Sequence, residues 1–180
     1  MVYVLLANGF EETEALTPAN LLMRAGFKVL LVSVNGDEYV KGTHGFVVKT
    51  DISIDALSLD DTELLLLPGG MPGAENIYNS EKAREIILSL NKRGVKIGAI
   101  CAAPFILGRL SLLNGKRATV FPGFENELIG AEYTGEPVTV CDNIITARGM
   151  GVAFEYGLTL IQVLLGKECA EGVKAKTQAI

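Results

Sequence analysis

Uninterrupted apolar segments recur along this chain and restrict its fold more than any other feature. Four of them predict β-strands, namely VYVLLA (residues 2–7), KVLLVSV (28–34), ELLLLP (63–68) and VKIGAI (95–100), and IITAR (144–148) predicts a further, late strand. A strand that is apolar at successive positions is buried on both faces, which is typical of a parallel sheet covered by helices. The five segments therefore predict one central, mostly parallel sheet.

Segments with helical periodicity alternate with the predicted strands. They are ALTPANLLMRAG (15–26), SEKAREIILSLNKRG (80–94) and the long apolar GVAFEYGLTLIQVLLG (151–166). The first two end on a glycine, as many helices do, and Thr17 before Pro18 predicts the N-cap of the first. KGTHGFVVKTDISI (41–54) predicts an exposed strand or hairpin arm. The β-α-β succession predicts an α/β fold, with a doubly wound sheet sandwiched by helices in a single domain over residues 1–180.

Composition and charge exclude several classes of protein. The 180 residues include 16 Lys plus Arg against 21 Asp plus Glu, a net charge of −5 without a basic block, so we expect no binding to nucleic acid or to an anionic membrane. The N-terminal apolar run is too short for a signal peptide or a membrane span. Three widely spaced cysteines favour a reducing cytoplasm over a disulfide framework, and a single histidine without a CxxC motif predicts no metal site.

The candidate site follows from where the predicted strands end. Four segments come directly after strands: NGFEETE (8–14), PGGMPG (68–73), CAAP (101–104) and RGMG (148–151). In doubly wound sheets, ligands bind outside the carboxyl ends of the strands. We therefore expect these four segments to converge on one site.

Cys101 has two interpretations. A strand that leads into Cys101 and then into a helix resembles a nucleophile elbow, in which a sharp turn exposes a reactive atom above the sheet. A nearby helix N-terminus would then lower the pKa of the thiol and favour the thiolate. The alternative is a buried structural cysteine, since free cysteine is among the most buried residue types. The residues alone leave the two interpretations about equally supported.

Consecutive glycines after the third strand are candidate donors to a bound anion. In PGGMPG, backbone N–H groups can turn toward a ligand, so Gly70, together with Ala102 beside the cysteine, is a candidate oxyanion donor. Pro-Gly-Gly is also an ordinary tight turn, which is the alternative interpretation.

The first loop, FEETEALTP, supplies the acidic candidates. Glu11 and Glu12 are predicted to be solvated acids in the first turn of a helix. Glu14 lies four residues before Pro18, which predicts a turn or kink that directs its carboxyl back over the sheet. Beside a thiolate it would hold a proton and exchange it during turnover, because like charges raise the pKa of the weaker acid.

With these segments assembled, the chain resembles the ThiJ/PfpI superfamily, and within it the branch of the parkinsonism-associated protein deglycase. NGFEETEALTPANLLMRAG, LLPGGMPGA, AICAAP and RGMGVAFEYGL carry the resemblance, which spans essentially the whole chain. It implies a flavodoxin-like domain of the class I glutamine amidotransferase-like type, a homodimer, a reactive Cys101 and Glu14 as its acidic partner. The other positions that it implies are Gly70 and Ala102 as backbone donors, and Arg24, Arg148 and Met150 near the pocket or the dimer contact.

Two positions depart from the pattern of this family. Several members have a site histidine in the region where this chain has ATVFPGF, with Phe121 at the matching position, and this implies weak turnover. The only histidine, His44 in GTHGF, stands where relatives often carry arginine or histidine. It is either an exposed turn residue or part of the pocket or interface. Glu14 is therefore the better candidate for a general base.

The residues and the resemblance together favour two functions. In the first, Cys101 adds to a small α-oxoaldehyde such as methylglyoxal, or to an early glycation adduct, and Glu14 moves the proton in a glyoxalase or deglycase reaction without a cofactor. In the second, the chain is a redox-sensing stress-response protein or chaperone in which Cys101 is oxidised to a sulfinate. Ala102 disfavours a peptidase, since related peptidases carry histidine there, and the lack of a histidine after position 44 disfavours a glutamine amidotransferase.

Overall fold

The predicted strands and helices are arranged around one central sheet. The computed structural model describes residues 1–179. Its strands are β1 (Val2–Leu6), β2 (Val29–Ser33), β3 (Tyr39–Lys41), β4 (Val47–Lys49), β5 (Ile52–Ser53), β6 (Leu64–Leu67), β7 (Lys96–Ile100), β8 (Arg117–Ala118), β9 (Glu132–Tyr133), β10 (Val138–Cys141) and β11 (Ile144–Ala147). Its helices are α1 (Glu12–Arg24), α2 (Gly73–Asn79), α3 (Glu81–Lys92), α4 (Pro104–Arg109), α5 (Ala153–Leu165) and α6 (Lys167–Lys176).

The strand order creates a topological switch point. Over the described residues, seven strands are hydrogen-bonded in the order β10-β11-β7-β6-β1-β2-β5. β1 pairs in parallel with β2 on one side, where Val2 lies opposite Val29, and with β6 on the other, where Val2 lies opposite Leu64. The edge strand β10 is antiparallel to β11. The chain therefore winds in both directions from β1, and the crevice above the carboxyl ends of these strands is where such folds bind ligands.

Helices cover both faces of the sheet and enclose two apolar cores. On one face, Leu5 belongs to a cluster that includes Ile87 of α3 and Phe105 of α4. On the other face, a second cluster includes Leu21 of α1 and Leu160 of α5. Each such side chain contributes about 1.5–3 kcal/mol when it is fully buried, so both faces hold the strand ends in place. The predicted α/β sandwich with a mostly parallel sheet is confirmed.

The first helix differs from the prediction at its start. It begins at Glu12 and runs through Pro18 to Arg24, so Thr17 is not its N-cap and no turn separates the two halves. The N-cap is Glu11, whose carboxylate accepts a hydrogen bond from the backbone N–H of Glu14 (2.6 Å). Pro18 removes one internal hydrogen bond, to the carbonyl of Glu14. The cap and the packing of α1 against α5 outweigh that loss, and the helix continues.

Several short elements are not predicted by the sequence. α2 and α6 lack a long periodic apolar pattern, and β8, β9 and β10 are only two to four residues long. The segment 41–54 contains one arm of the antiparallel hairpin β3–β4, as expected, and then the short edge strand β5. Within residues 1–179, no helix has both the length and the apolar character that crossing a membrane requires.

Candidate active site around Cys101

The four loops that follow strands meet at the carboxyl end of the sheet, as predicted. The N–H of Glu11 donates to the carbonyl of Gly69 (2.9 Å), which joins the first loop to the loop after β6. The N–H of Cys101 donates to the carbonyl of Ala147 (2.8 Å), which joins the loop after β7 to the end of β11. The backbone of Met150, in the turn that follows β11, lies near enough to the Glu14 carboxyl to lower its pKa. The loops therefore form one connected site.

Glu14 is a buried acid aimed at this junction. It lies in the first turn of α1, where its side chain is 2% exposed. One carboxyl oxygen, Oε2, accepts the backbone N–H of Gly69 (3.0 Å). The position of Glu14 over the sheet comes from the cap at Glu11 and from the axis of α1, and not from the predicted kink.

Cys101 occupies a sharp turn directly after β7. Its φ angle is +62°, in the left-handed region that residues other than glycine rarely adopt. Its carbonyl accepts the N–H of Phe121 (2.9 Å) while its own N–H is bound by the end of β11, so the backbone is held on both sides. The side chain is half-buried. This geometry matches an elbow that presents a reactive atom above the sheet.

The Glu14 carboxyl and the Cys101 side chain approach each other across Gly69. A Cβ atom added at Gly69 would lie 2.5 Å from Oε2 of Glu14 and 2.6 Å from Cβ of Cys101. Burial and then the charge of Glu14 raise the pKa of Cys101, whereas the backbones of Ala102 and Gly70 lower it. Gly70 has a φ of +83°, and backbone atoms of the first loop leave no room for a side chain there. The role of Gly70 and Ala102 as donors to a bound anion stays a prediction.

Burial and mutual repulsion control the ionisation of this pair. Burial, followed by the charge of Glu14 and its hydrogen bond, raises the pKa of Cys101 to about 12. Burial, more than the nearby charge of Glu11, raises the pKa of Glu14 to about 7. Between about pH 7 and about pH 12 the pair therefore carries one negative charge and one proton, with the charge mainly on the Glu14 carboxyl and the proton mainly on the sulfur.

The expectation that a helix dipole lowers the pKa of Cys101 is wrong. α4 has only six residues and begins at Pro104, three residues beyond the cysteine. Its N-terminus is therefore too short and too distant to offset the burial of the sulfur. The thiolate instead depends on Glu14 accepting the proton.

An open cavity adjoins the elbow. It has a volume of about 440 Å³ and is lined by Phe121, Pro122, Arg148, Met150, Val152 and two glycines. Phe121 packs over Gly149, where an added Cβ would lie 3.3 Å from its ring. The predicted pocket residues Phe121, Arg148 and Met150 thus lie together, and the wall is mostly apolar with one cation.

Glu12 and His44 form a separate contact beside the site. Glu12 is 8% exposed, so the expectation of a solvated acid is wrong. Its carboxylate accepts the backbone N–H of His44 (2.9 Å) and lies 3.1 Å from the ring Nδ1. Burial tends to raise the pKa of Glu12, but the hydrogen bonds from His44 outweigh it and the pKa falls. The His44 ring is 67% exposed, so this residue ties the β3–β4 hairpin to α1.

The acids near His44 offer possible metal ligands, but these are already engaged. Ligand atoms of Glu11, Glu12 and His44 lie within 4.8 Å of one another. The carboxylate of Glu11 caps α1 through Glu14, and that of Glu12 holds the hairpin. Both sets of oxygens therefore have structural roles.

Arg24 does not reach the cysteine. It is in the last turn of α1, ten residues and thus about 15 Å along the helix from Glu14. Its Nε donates to Asn20 (2.8 Å), and it lines a surface groove with Leu16 and Phe154. The family resemblance implies that Arg24 lies near the pocket or near the dimer contact. Because Arg24 is far from the cysteine, only the position near the dimer contact remains a prediction.

Two residues with roles at the site are not identified by the sequence. Gly69 separates Glu14 from Cys101, and Glu12 anchors the hairpin. The PGG motif points to the loop but not to which glycine separates the two side chains. No pattern in the sequence indicates that Glu12 approaches the site.

The fold and the site define a class of protein: an α/β sandwich with a cysteine on a strand-to-helix elbow and a buried glutamic acid beside it. The chain belongs to the DJ-1/PfpI family, whose model matches residues 1–163. It is 35% identical to protein dj-1beta of Drosophila melanogaster over 94% of this chain and 92% of that protein. It is 30% identical to a deglycase of Pyrococcus abyssi over 91% of this chain and 98% of that protein.

Solved structures give the same assignment. Oxidized DJ-1 of Toxoplasma gondii superposes with a TM-score of 0.94 at 34% identity, covering 99% of this chain and 97% of that chain. Drosophila melanogaster DJ-1beta superposes with a TM-score of 0.94 at 32% identity, with the same coverage. The family expected from the sequence motifs is therefore confirmed.

Proposed function

We propose that this chain is an enzyme that detoxifies reactive α-oxoaldehydes or their early glycation adducts through Cys101 and Glu14. One observation carries the proposal: the Glu14 carboxyl is buried and approaches the elbow cysteine across Gly69. Such a pair supplies a nucleophile and a proton carrier in the same place. The Pyrococcus abyssi relative is named as a deglycase, which agrees with this reaction class.

The reaction on methylglyoxal needs no external oxidant. With the shared proton on Glu14, the sulfur of Cys101 adds to the aldehyde carbon, and the carbonyl oxygen takes up a proton to give a hemithioacetal. The N–H groups of Gly70 and Ala102 stabilise the charge on that oxygen during addition. Glu14, which has given its proton to the carbonyl oxygen and is now a carboxylate, removes the proton from the former aldehyde carbon and returns it to the neighbouring carbon; the hydroxyl proton moves to the neighbouring oxygen, which leaves a thioester of lactate. Water releases lactate and restores the thiol.

Loss of methylglyoxal is the direct test of this function. We expect the purified protein to consume methylglyoxal and form lactate, and we expect Cys101→Ser and Glu14→Gln to reduce the rate by on the order of 100-fold or more, because each removes an essential group. The apolar Phe121 adds no acid or base to the site, so the wild-type rate should be low. A wild-type rate equal to the Cys101→Ser background would contradict the proposal.

Redox sensing is a second candidate for the same cysteine. The half-buried thiol and the adjacent carboxyl would allow a sulfinate to form and to be held by Glu14. The similar DJ-1 of Toxoplasma gondii is oxidized in its solved structure. Mass spectrometry after peroxide treatment separates the candidates: a sensor adds two oxygen atoms at Cys101 at low peroxide and shows no methylglyoxal turnover.

We propose that the chain works as a homodimer, with small molecules as its other partners. Leu16, Phe46 and Val47 are exposed and line one surface depression with Val48, so α1 and the β3–β4 hairpin present an apolar strip. Exposed apolar strips on soluble proteins commonly mark interfaces, and homodimers usually bury the same patch on both subunits. The net charge of −5 disfavours nucleic acid and anionic membranes as partners.

Charge placed on this strip should separate the subunits. We expect wild-type protein to elute at twice the chain mass in size exclusion with light scattering, and Phe46→Asp to shift it toward the monomer. Leu88→Asp is the matched control, because Leu88 is an exposed apolar residue on α3. If the wild type is a monomer, or if Phe46→Asp leaves the dimer intact, this strip is not the dimer interface.

We propose the cytoplasm as the compartment of this protein. The three cysteines, all within residues 1–179, are free thiols. Free thiols persist in reducing compartments, where the proposed chemistry of Cys101 requires them.

A further inference from the structure

Within residues 1–179, Arg148 is the one arginine whose guanidinium group has no hydrogen-bond or ion-pair partner. The guanidinium groups of the other five arginines each donate to an oxygen atom: Arg24 to Asn20, Arg84 to Tyr78, Arg93 to Asp60, Arg109 to Glu127 and Arg117 to Glu136. Arg148 is exposed, and its backbone N–H donates to the carbonyl of Pro137 (3.1 Å). Its side chain is therefore free to bind an anion, and a guanidinium group is well suited to hold a carboxylate.

The cavity that Arg148 lines is joined to the backbone of Cys101 on two sides. Ala147, directly before Arg148, accepts the N–H of Cys101 (2.8 Å). The N–H of Phe121 donates to the carbonyl of Cys101 (2.9 Å). Phe121 and Arg148 line the same cavity, which has a volume of about 440 Å³. Two walls of the cavity therefore continue directly from hydrogen bonds to the cysteine.

The rest of the cavity wall is apolar. Phe121 and Met150, both large apolar side chains, are 45% and 54% exposed, and Pro122 and Val152 lie beside them. Among the described residues, the lining includes no acid and no second cation. Small-molecule pockets commonly combine an apolar wall with a few polar groups that fix the orientation of the ligand. A single guanidinium in such a wall fits a ligand with one carboxylate and an apolar body, whereas methylglyoxal would leave most of the volume empty.

We propose that Arg148 is a specificity-determining residue that binds a carboxylate of the substrate. The preferred substrates are then α-oxoaldehydes or adducts that carry a carboxylate next to an apolar body, ahead of neutral ones of the same size. The proposal rests on the proposed function, because it names the substrate class of the same cysteine. The reacting carbon lies at Cys101, the apolar body lies against Phe121 and Met150, and the carboxylate lies on Arg148.

Two alkylating reagents of similar size, the anion iodoacetate and the neutral iodoacetamide, test this cation without any turnover. We expect the ratio of their labelling rates at Cys101, iodoacetate over iodoacetamide, to fall about threefold or more in Arg148→Gln, because the anion has lost an attractive charge. Both reagents react with the same thiolate, so a change in the thiolate population cancels in the ratio, as does the repulsion of iodoacetate by Glu14. Arg148→Lys keeps the charge and should keep most of the ratio. Peptide mass spectrometry separates Cys101 from the other cysteines.

Arg93→Gln provides the matched control. It removes the same charge, but Arg93 follows α3 and precedes β7, so it lies at the opposite end of that strand from Cys101. We expect this variant to keep the wild-type ratio, and circular dichroism checks that all variants are folded. An unchanged ratio in Arg148→Gln, or an equal fall in both variants, overturns the proposal.

Protection by unreactive ligands tests the carboxylate itself. Hexanoate should slow iodoacetamide labelling of Cys101 at concentrations at which hexanamide does not, and Arg148→Gln should lose this protection. Equal protection by hexanamide, or stronger protection by inorganic phosphate, contradicts a carboxylate subsite. Neither labelling assay needs turnover, so a failure of the methylglyoxal assay would contradict the proposed function and leave the carboxylate subsite beside Cys101 in place.

Discussion

Replacing Glu14 by glutamine is expected to remove the rise in Cys101 reactivity near pH 7 while the protein stays folded. The wild-type pair loses its first proton at about pH 7, because burial raises the pKa of Glu14 to about 7, and the sulfur draws its reactive form from that state. Glutamine removes the proton acceptor. The thiol then titrates alone: its pKa falls because the charge of Glu14 is gone, but burial, the largest effect on it, keeps that pKa above the ordinary 9.0.

The expected change is therefore in the shape of the pH profile. At pH 7.5 a thiol with a pKa above 9 is ionised in fewer than about one molecule in thirty. Iodoacetamide labelling of Glu14→Gln should lose the rise near pH 7 and keep only a rise at alkaline pH. Glu12→Gln is the control, since it removes a charge from the same helical turn but from the His44 contact. A Glu14→Gln profile that rises near pH 7 would show that Glu14 does not govern the thiol.

Replacing Gly69 by alanine should disable the site while both reacting side chains remain. The added Cβ would lie 2.5 Å from Oε2 of Glu14 and 2.6 Å from Cβ of Cys101, too close for either to stay in place. Displacement of reacting groups by about 1 Å costs on the order of 100-fold in rate. We expect a loss of that size in methylglyoxal turnover and an altered pH profile of Cys101 labelling.

Gly172→Ala is the matched control for this substitution. Gly172 is in α6, outside the four site loops, and a Cβ there would meet nothing within 4 Å. Circular dichroism and thermal melting of both variants separate a displaced site from an unfolded chain. Wild-type turnover in a folded Gly69→Ala protein would mean that Glu14 and Cys101 need not approach each other across this glycine.

The sequence predicts the framework of the site well because that framework depends on local patterns. Apolar runs such as LLLL in β6 indicate doubly buried strands, and a parallel sheet brings the loops at their carboxyl ends together. Cys101 and Glu14 stand out in the sequence for this reason. The kink that was predicted at Pro18 to direct Glu14 does not exist, since α1 is continuous.

The electrostatics of the site could not be predicted from local patterns. Whether the pKa of Cys101 rises or falls depends on how deeply the sulfur is buried and on the carboxyl opposite it, and both are set by residues far away in the chain. The burial of Glu12 likewise depends on His44, thirty-two residues later.

The left-handed backbone at Cys101 sets two evolutionary pressures against each other. A φ of +62° costs a residue with a Cβ about 1–2 kcal/mol, and glycine would escape most of that cost. Selection for folding alone thus favours glycine at this turn, and only selection for the sulfur retains cysteine. A lineage that no longer used the thiol would gain stability by drifting to glycine there.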